Sequence, residues 1–184
     1  MIYSRGINNS GYAVAPWIDG KRVLCPYYKT WEAMLRRVYC EASLVRQPTY
    51  RNASICLQWH WFSEFKLWMQ EQDWKGKSLD KDLLDWKNKH YSPKTCLFIS
   101  SDINNLLCLG AAKRGEFPLG VCYHKASKKY LAQIVLYGKK KYLGLYTDMS
   151  EAHETYKKAK LEYIEELACL EPNQQIQDAL RALH

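Results

Sequence analysis

Two groups of residues in this 184-residue chain carry chemistry. The first is a pair of oxygen donors, Asp80 and Asn104. If the chain between them doubles back, they could hold a divalent cation, since carboxylate and carboxamide oxygens are the hard ligands magnesium prefers. The same residue types also serve as turn and cap residues. The second group is basic. Leu119 to Thr147 contains Lys125, Lys128, Lys129, Lys139, Lys140 and Lys141 and no Asp or Glu, a formal charge of 6 − 0 = +6. From Asp148 to Glu171 three lysines stand against seven acids, 3 − 7 = −4. A cationic segment free of acids suits a polyanion, and an ordinary solvated basic face has the same composition.

The elements that must position the basic group follow from periodicity. Ala132, Ile134 and Leu136 alternate with Leu131, Gln133, Val135 and Tyr137, the period of a strand. Gly120 to Lys125 forms a shorter strand before it. Tyr137-Gly138-Lys139 is a turn, and Lys140 to Tyr146 a third strand. The spacing of Ala152, Tyr156, Ala159, Tyr163 and Leu167 then predicts a helix with one apolar stripe, started by Asp148 with Glu151 three residues on. That helix can cover one face of the sheet. The other face keeps Cys122, His124, Gln133, Val135, Tyr137, Lys140 and Tyr142, where lysines can neutralise phosphates while Gln and His reach base edges.

Gly120-Val121, Tyr130-Leu131-Ala132-Gln133-Ile134, Tyr142-Leu143-Gly144-Leu145-Tyr146, Ala152 and Tyr156 resemble the plant ethylene-response-factor (APETALA-type) DNA-binding domain, also found in phage homing endonucleases. The resemblance implies a three-stranded sheet lying in the DNA major groove, backed by one helix. Its base-facing places fall on Cys122, His124, Gln133, Val135, Lys140 and Tyr142. Several of these are arginine in the plant proteins and are not arginine here, so the plant target does not carry over. Lys125, Lys129, Lys139 and Lys141 are the further DNA-binding candidates.

Ahead of that segment, Trp31, Met34-Leu35, Arg37 and Tyr39, then Trp59, Phe62 and Phe65, Leu79-Asp80-Lys81-Asp82, Tyr91-Ser92-Pro93, Cys96 and Ile103-Asn104 resemble the phage HNH homing endonucleases. In that family a ββα unit holds one divalent metal through an Asp at the end of the first strand and a His or Asn on the helix. Those places fall on Asp80 and Asn104. The general-base His that follows the Asp corresponds to Lys81, and the central Asn to Thr95. A lysine is protonated at neutral pH and is a poor base. His90, in the loop of the same finger, is the substitute base.

The chain divides into an HNH-like domain over 1–110, a linker over 111–117, a sheet reader over 118–170 and a short helix over 171–184. The expected fold class is α+β, an HNH-like ββα-metal-type unit followed by a three-stranded antiparallel sheet packed on one helix. Two strand-like pieces, Tyr12 to Val14 and Arg22 to Leu24, open the chain. Thr30 offers an N-cap to a helix with Trp31, Met34, Leu35 and Val38 inside and Arg36 and Arg37 outside, within reach of phosphate. Trp59, Phe62, Phe65 and Met69 read as an aromatic core helix, and His60 as a packed or capping residue. Ile176, Leu180 and Leu183 form a stripe that either packs back or bridges to a second copy, so the chain is a monomer or a homodimer.

The net charge of +8 and pI near 9.0 suit a polyanion partner, which the resemblance makes double-stranded DNA. No stretch reaches the roughly twenty apolar residues of a membrane span. No secretory signal stands at the start and no cysteine pair has C-x-x-C spacing, which points to reduced thiols in a cytosolic compartment; the resemblance to phage homing endonucleases implies the cytoplasm of a bacterial host. Two functions follow. One is a sequence-specific repressor with a degenerate nuclease site and no cofactor. The alternative is a Mg2+- or Mn2+-dependent endonuclease that nicks or cleaves its site. A third class, an RNA-binding or protein-interaction module, predicts no salt-dependent duplex binding.

Overall fold

The computed structural model describes residues 1–107 and 116–183. The fold is α+β, and the described residues form two compact units, Met1–Ser100 and Ser101–His184. The linker expected at 111–117 falls largely outside the described residues.

The first unit opens with a hairpin, β1 (Trp17–Ile18) paired antiparallel to β2 (Lys21–Arg22). Both turn residues, Asp19 and Gly20, have positive φ, 49° and 71°. This two-residue turn matches strand twist; β1 lies after the first piece expected from the sequence, Tyr12 to Val14, and β2 overlaps the second only at Arg22. Helix α1 (Pro26–Tyr39) begins four residues before the expected Thr30 cap. Pro26 can occupy the first turn because its missing N–H would have no helical partner there. Thr30 lies within the helix and donates its hydroxyl to the Pro26 carbonyl at 3.1 Å.

After α2 (Glu41–Arg46) and β3 (Ser54–Ile55), a short 3-10 turn carries Trp59 and His60 into α3 (Phe62–Gln70). Trp31, Met34, Leu35 and Val38 of α1 are buried against Trp59, Phe62, Phe65 and Met69, forming the core of the unit. Each such side chain contributes about 1.5–3 kcal/mol on burial. The Trp31 indole N–H donates to the Trp59 carbonyl at 2.7 Å, so the largest core ring leaves no orphan donor. His60 bonds the Tyr39 hydroxyl at 2.9 Å and, as expected, is a packed residue.

Strand β4 (Ser78–Asp80) pairs antiparallel with β6 (Leu97–Ile99), and β5 (His90–Tyr91) pairs parallel with β3. Leu79, Tyr91 and Phe98 join the same core.

The second unit contains α4 (Ser101–Leu107) and the sheet β7 (Val121–His124), β8 (Lys129–Leu136) and β9 (Lys139–Tyr146), antiparallel in that order. Helix α5 (Met149–Leu170) covers one face, burying Ala152, Tyr156 and Tyr163. The Asp148 carboxylate caps it, accepting from the backbone N–H of Ser150 and Glu151 at 2.7 and 2.9 Å. Gly120 is required here, because at φ +79° a Cβ would lie 2.0 Å from the Tyr156 ring. Helix α6 (Gln174–Arg181) buries Ile176 and Leu180 while Leu183 stays partly exposed. Arg181 grips Glu165 of α5 through Nε and Nη2 at 3.0–3.2 Å, so the stripe packs back on the unit.

Candidate nucleic-acid interface

Strand alternation assigns the sheet residues to faces. Ala132 and Ile134 are buried toward α5, so their neighbours on β8, Gln133 and Val135, face away. Pairing extends the assignment to the adjacent strands. Cys122 lies opposite Leu131 and His124 opposite Lys129, while Tyr142 lies opposite Gln133 and Lys140 opposite Val135. The six places implied by the resemblance, Cys122, His124, Gln133, Val135, Lys140 and Tyr142, therefore share the face opposite α5. A register shift between Ala132 and Gln133 leaves Leu143 unpaired and keeps Tyr142 on that face.

Tyr142 and Val135 are 59% and 49% exposed, so the face is not a hydrophobic interior. The Gln133 amide N–H points to the Cys122 sulfur at 4.0 Å, which orients the carboxamide across the strands. His124 Nδ1 lies 2.8 Å from the Ser127 hydroxyl within the β7–β8 turn.

The lysines divide between the faces. Lys129 and Lys140 lie on the face opposite α5, Lys125 and Lys128 belong to the β7–β8 turn, and Lys139 and Lys141 alternate toward the helix side, exposed. Among the described residues no carboxylate pairs with any of these six. Three of the acids of α5 have other partners. Glu154 meets Lys157 at 2.5 Å, Glu165 meets Arg181, and Glu166 accepts from the Tyr137 hydroxyl at 2.8 Å. Lys157 beside Glu154 holds that carboxyl below its usual range.

Tyr137 departs from the expected placement on the reading face. It sits in the two-residue turn with Gly138, φ 50° and 72°, and its own N–H donates to the Tyr163 hydroxyl at 3.0 Å. The turn rotates the side chain out of strand alternation and toward α5. The hydrogen bond to Glu166 pushes the Tyr137 hydroxyl up to about 12.

In the first unit, Asp80 closes β4. Its Oδ1 accepts from the backbone N–H of Asp82 at 2.9 Å and Leu83 at 2.7 Å, building the turn that follows. Burial raises its carboxyl above the ordinary range, against those two hydrogen bonds. Lys81 is 3% exposed. Its ammonium donates to Asp82 Oδ1 at 2.5 Å and to the Asn88 carbonyl at 3.3 Å, and lies 5.5 and 5.7 Å from the ring centres of Tyr50 and Tyr91. Thr95 is a structural clamp. Its Oγ1 accepts from the Ser92 N–H at 3.0 Å and donates to the His90 carbonyl at 2.7 Å. His90 is exposed, with Nδ1 2.8 Å from the Ser54 hydroxyl.

Asn88 is the residue that sequence reasoning missed. Its amide donates to the carbonyls of Lys81 and His90 at 3.1 and 2.8 Å, and its oxygen accepts the His90 N–H at 3.0 Å, closing the loop between β4 and β5. An Asn two residues before a strand, preceded by Asp85, is a turn signal that could have found it. Asn104 lies in α4, half-buried in the second unit, so Asp80 and Asn104 belong to different units. Arg36 is exposed, whereas Arg37 lies against the Tyr91 phenol, half-buried.

The residues around Asp80 fit a divalent cation poorly. One carboxylate oxygen is already taken by two backbone donors, and the neighbouring side chain is itself a buried cation. Among the described residues no three His, Cys, Asp or Glu side chains form a metal-sized group. No helix among them is long and apolar enough to cross a membrane.

No protein-family model, no curated protein and no solved structure matches this chain.

Proposed function

We propose that this chain is a sequence-specific double-stranded DNA-binding protein of the kind its resemblance to phage homing endonucleases implies, acting as a repressor by occupying its site. The observation that carries the reading is the face of β7–β9 opposite α5. Gln133 and Tyr142 stand there beside Lys129 and Lys140, and Glu154, Glu165 and Glu166 of α5 are engaged elsewhere. A carboxamide oriented by Cys122 suits a base edge, and unneutralised lysines suit phosphates. The first unit supports binding without cutting, because the place of the general base holds an ammonium bonded to Asp82 and the Asn88 carbonyl. The second reading, a Mg2+- or Mn2+-dependent nicking enzyme, draws on the Asp80 carboxylate, whose burial leaves a charge that a cation would stabilise.

The test is selection of a preferred duplex from random sequence, followed by titration of variants. Gln133→Ala is expected to relax preference at one base pair by about 1–3 kcal/mol. Lys140→Ala is expected to weaken every duplex alike and to lower the salt slope by about one unit. Identical behaviour of the two variants would remove the assignment of the reading face.

A further inference from the structure

The loop between β4 and β5 is built to hold a tryptophan in solvent. Trp86 is 74% exposed, an unusual position for the largest apolar side chain. The loop beneath it is tied at several points. Asp85 accepts the Lys87 N–H at 2.9 Å through its side chain and the Asn88 N–H at 2.9 Å through its carbonyl. Asn88 and the buried Lys81 close the base. The Lys87 ammonium lies 5.3 Å from the centre of the Trp86 ring, and Lys89 follows two residues on. An aromatic ring with a cation over one face, carried on a braced turn, offers its other face as a stacking surface and the cation as a phosphate partner.

We infer that the Trp86–Lys87 tip is a second DNA contact, taking one unstacked base against the indole while Lys87 meets its phosphate. The inference rests on the duplex-binding reading but concerns a different site in a different unit. In this arrangement Lys81 acts as a positioning residue, supplying the cation that fixes the turn. Its ammonium holds the loop through Asp82 and the Asn88 carbonyl.

A base inside a duplex must leave its stack to reach the indole, and an unpaired base does so at least cost. The experiment therefore compares two mixed-sequence duplexes of about 30 base pairs, one fully paired and one with a single bulged base. The full chain is expected to bind the bulged duplex about tenfold more tightly. Trp86→Ala should abolish that preference, and Trp86→Phe should restore part of it. Lys140→Ala should weaken both duplexes equally and leave the preference intact. Circular dichroism of each variant confirms that the fold is retained. The inference is overturned if the full chain shows no preference, or if Trp86→Ala keeps it. It is also overturned if Trp86→Ala alters only self-association in sedimentation. Binding of neither duplex by the full chain overturns this site and the sheet reading together.

Discussion

Lys81 and Asp82 form an uneven pair, the lysine 3% and the aspartate 37% exposed. Removing one partner of a buried pair costs about 3–5 kcal/mol, and the exposure of Asp82 reduces the expected loss for Asp82→Ala to about 1–3 kcal/mol. Urea denaturation midpoints measure it, and Lys81→Met combined with Asp82→Asn should recover most of the loss. Asp80 has the opposite character. Burial raises its folded-state carboxyl above the unfolded value, so the folded chain holds the proton more tightly. The group therefore subtracts from stability at pH above that folded value, and the penalty fades as pH falls below the ordinary Asp range. Asp80→Asn keeps an oxygen for the Asp82 and Leu83 N–H groups without the charge. It is expected to melt above the parent at neutral pH, with the gap closing in acid. A melting temperature lower than the parent at pH 7 would contradict that assignment.

At the scale of elements, Gly120 sets how closely β7 approaches α5. Gly120→Ala adds a Cβ within the Tyr156 ring and a side chain at positive φ, and should destabilise the second unit by about 3 kcal/mol. Chemical denaturation followed by tyrosine signal would show it as an early transition. The sheet and its helix were legible because Ala132, Ile134, Tyr156 and Tyr163 repeat at two distinct periods, and because Tyr137-Gly138 punctuates them. The start of α1 was not, since Thr30 and Pro26 are both acceptable first-turn residues and only packing chooses between them. The face of each lysine was partly legible. Alternation assigns Lys140, but a register shift near Gln133 is invisible in the sequence. The burial of Lys81 was not legible at all, because it depends on Tyr50 and Asn88, brought together only by folding.

At the scale of the whole molecule, a net charge of +8 implies that much of the affinity for any duplex comes from counterion release. On the proposed duplex-binding reading, sequence preference then comes from a few oriented groups, Gln133 first among them. A chain that occupies DNA without cutting should leave supercoiled plasmid bearing its selected site intact in magnesium or manganese. Gel electrophoresis over a range of metal concentrations checks this. Reproducible nicking that disappears in Asp80→Ala would instead establish the nuclease reading.

The turn at Tyr137 shows what this sheet gains from an awkward residue. A bulky side chain in the left-handed region sacrifices about 1–2 kcal/mol that Asn or Gly would not. In return, the tip of the longest hairpin is moored at two points to the helix behind it, through Tyr163 and Glu166. A more relaxed turn would hold that tip less firmly, and the surface proposed to match a groove would lose its shape before it lost any contact group.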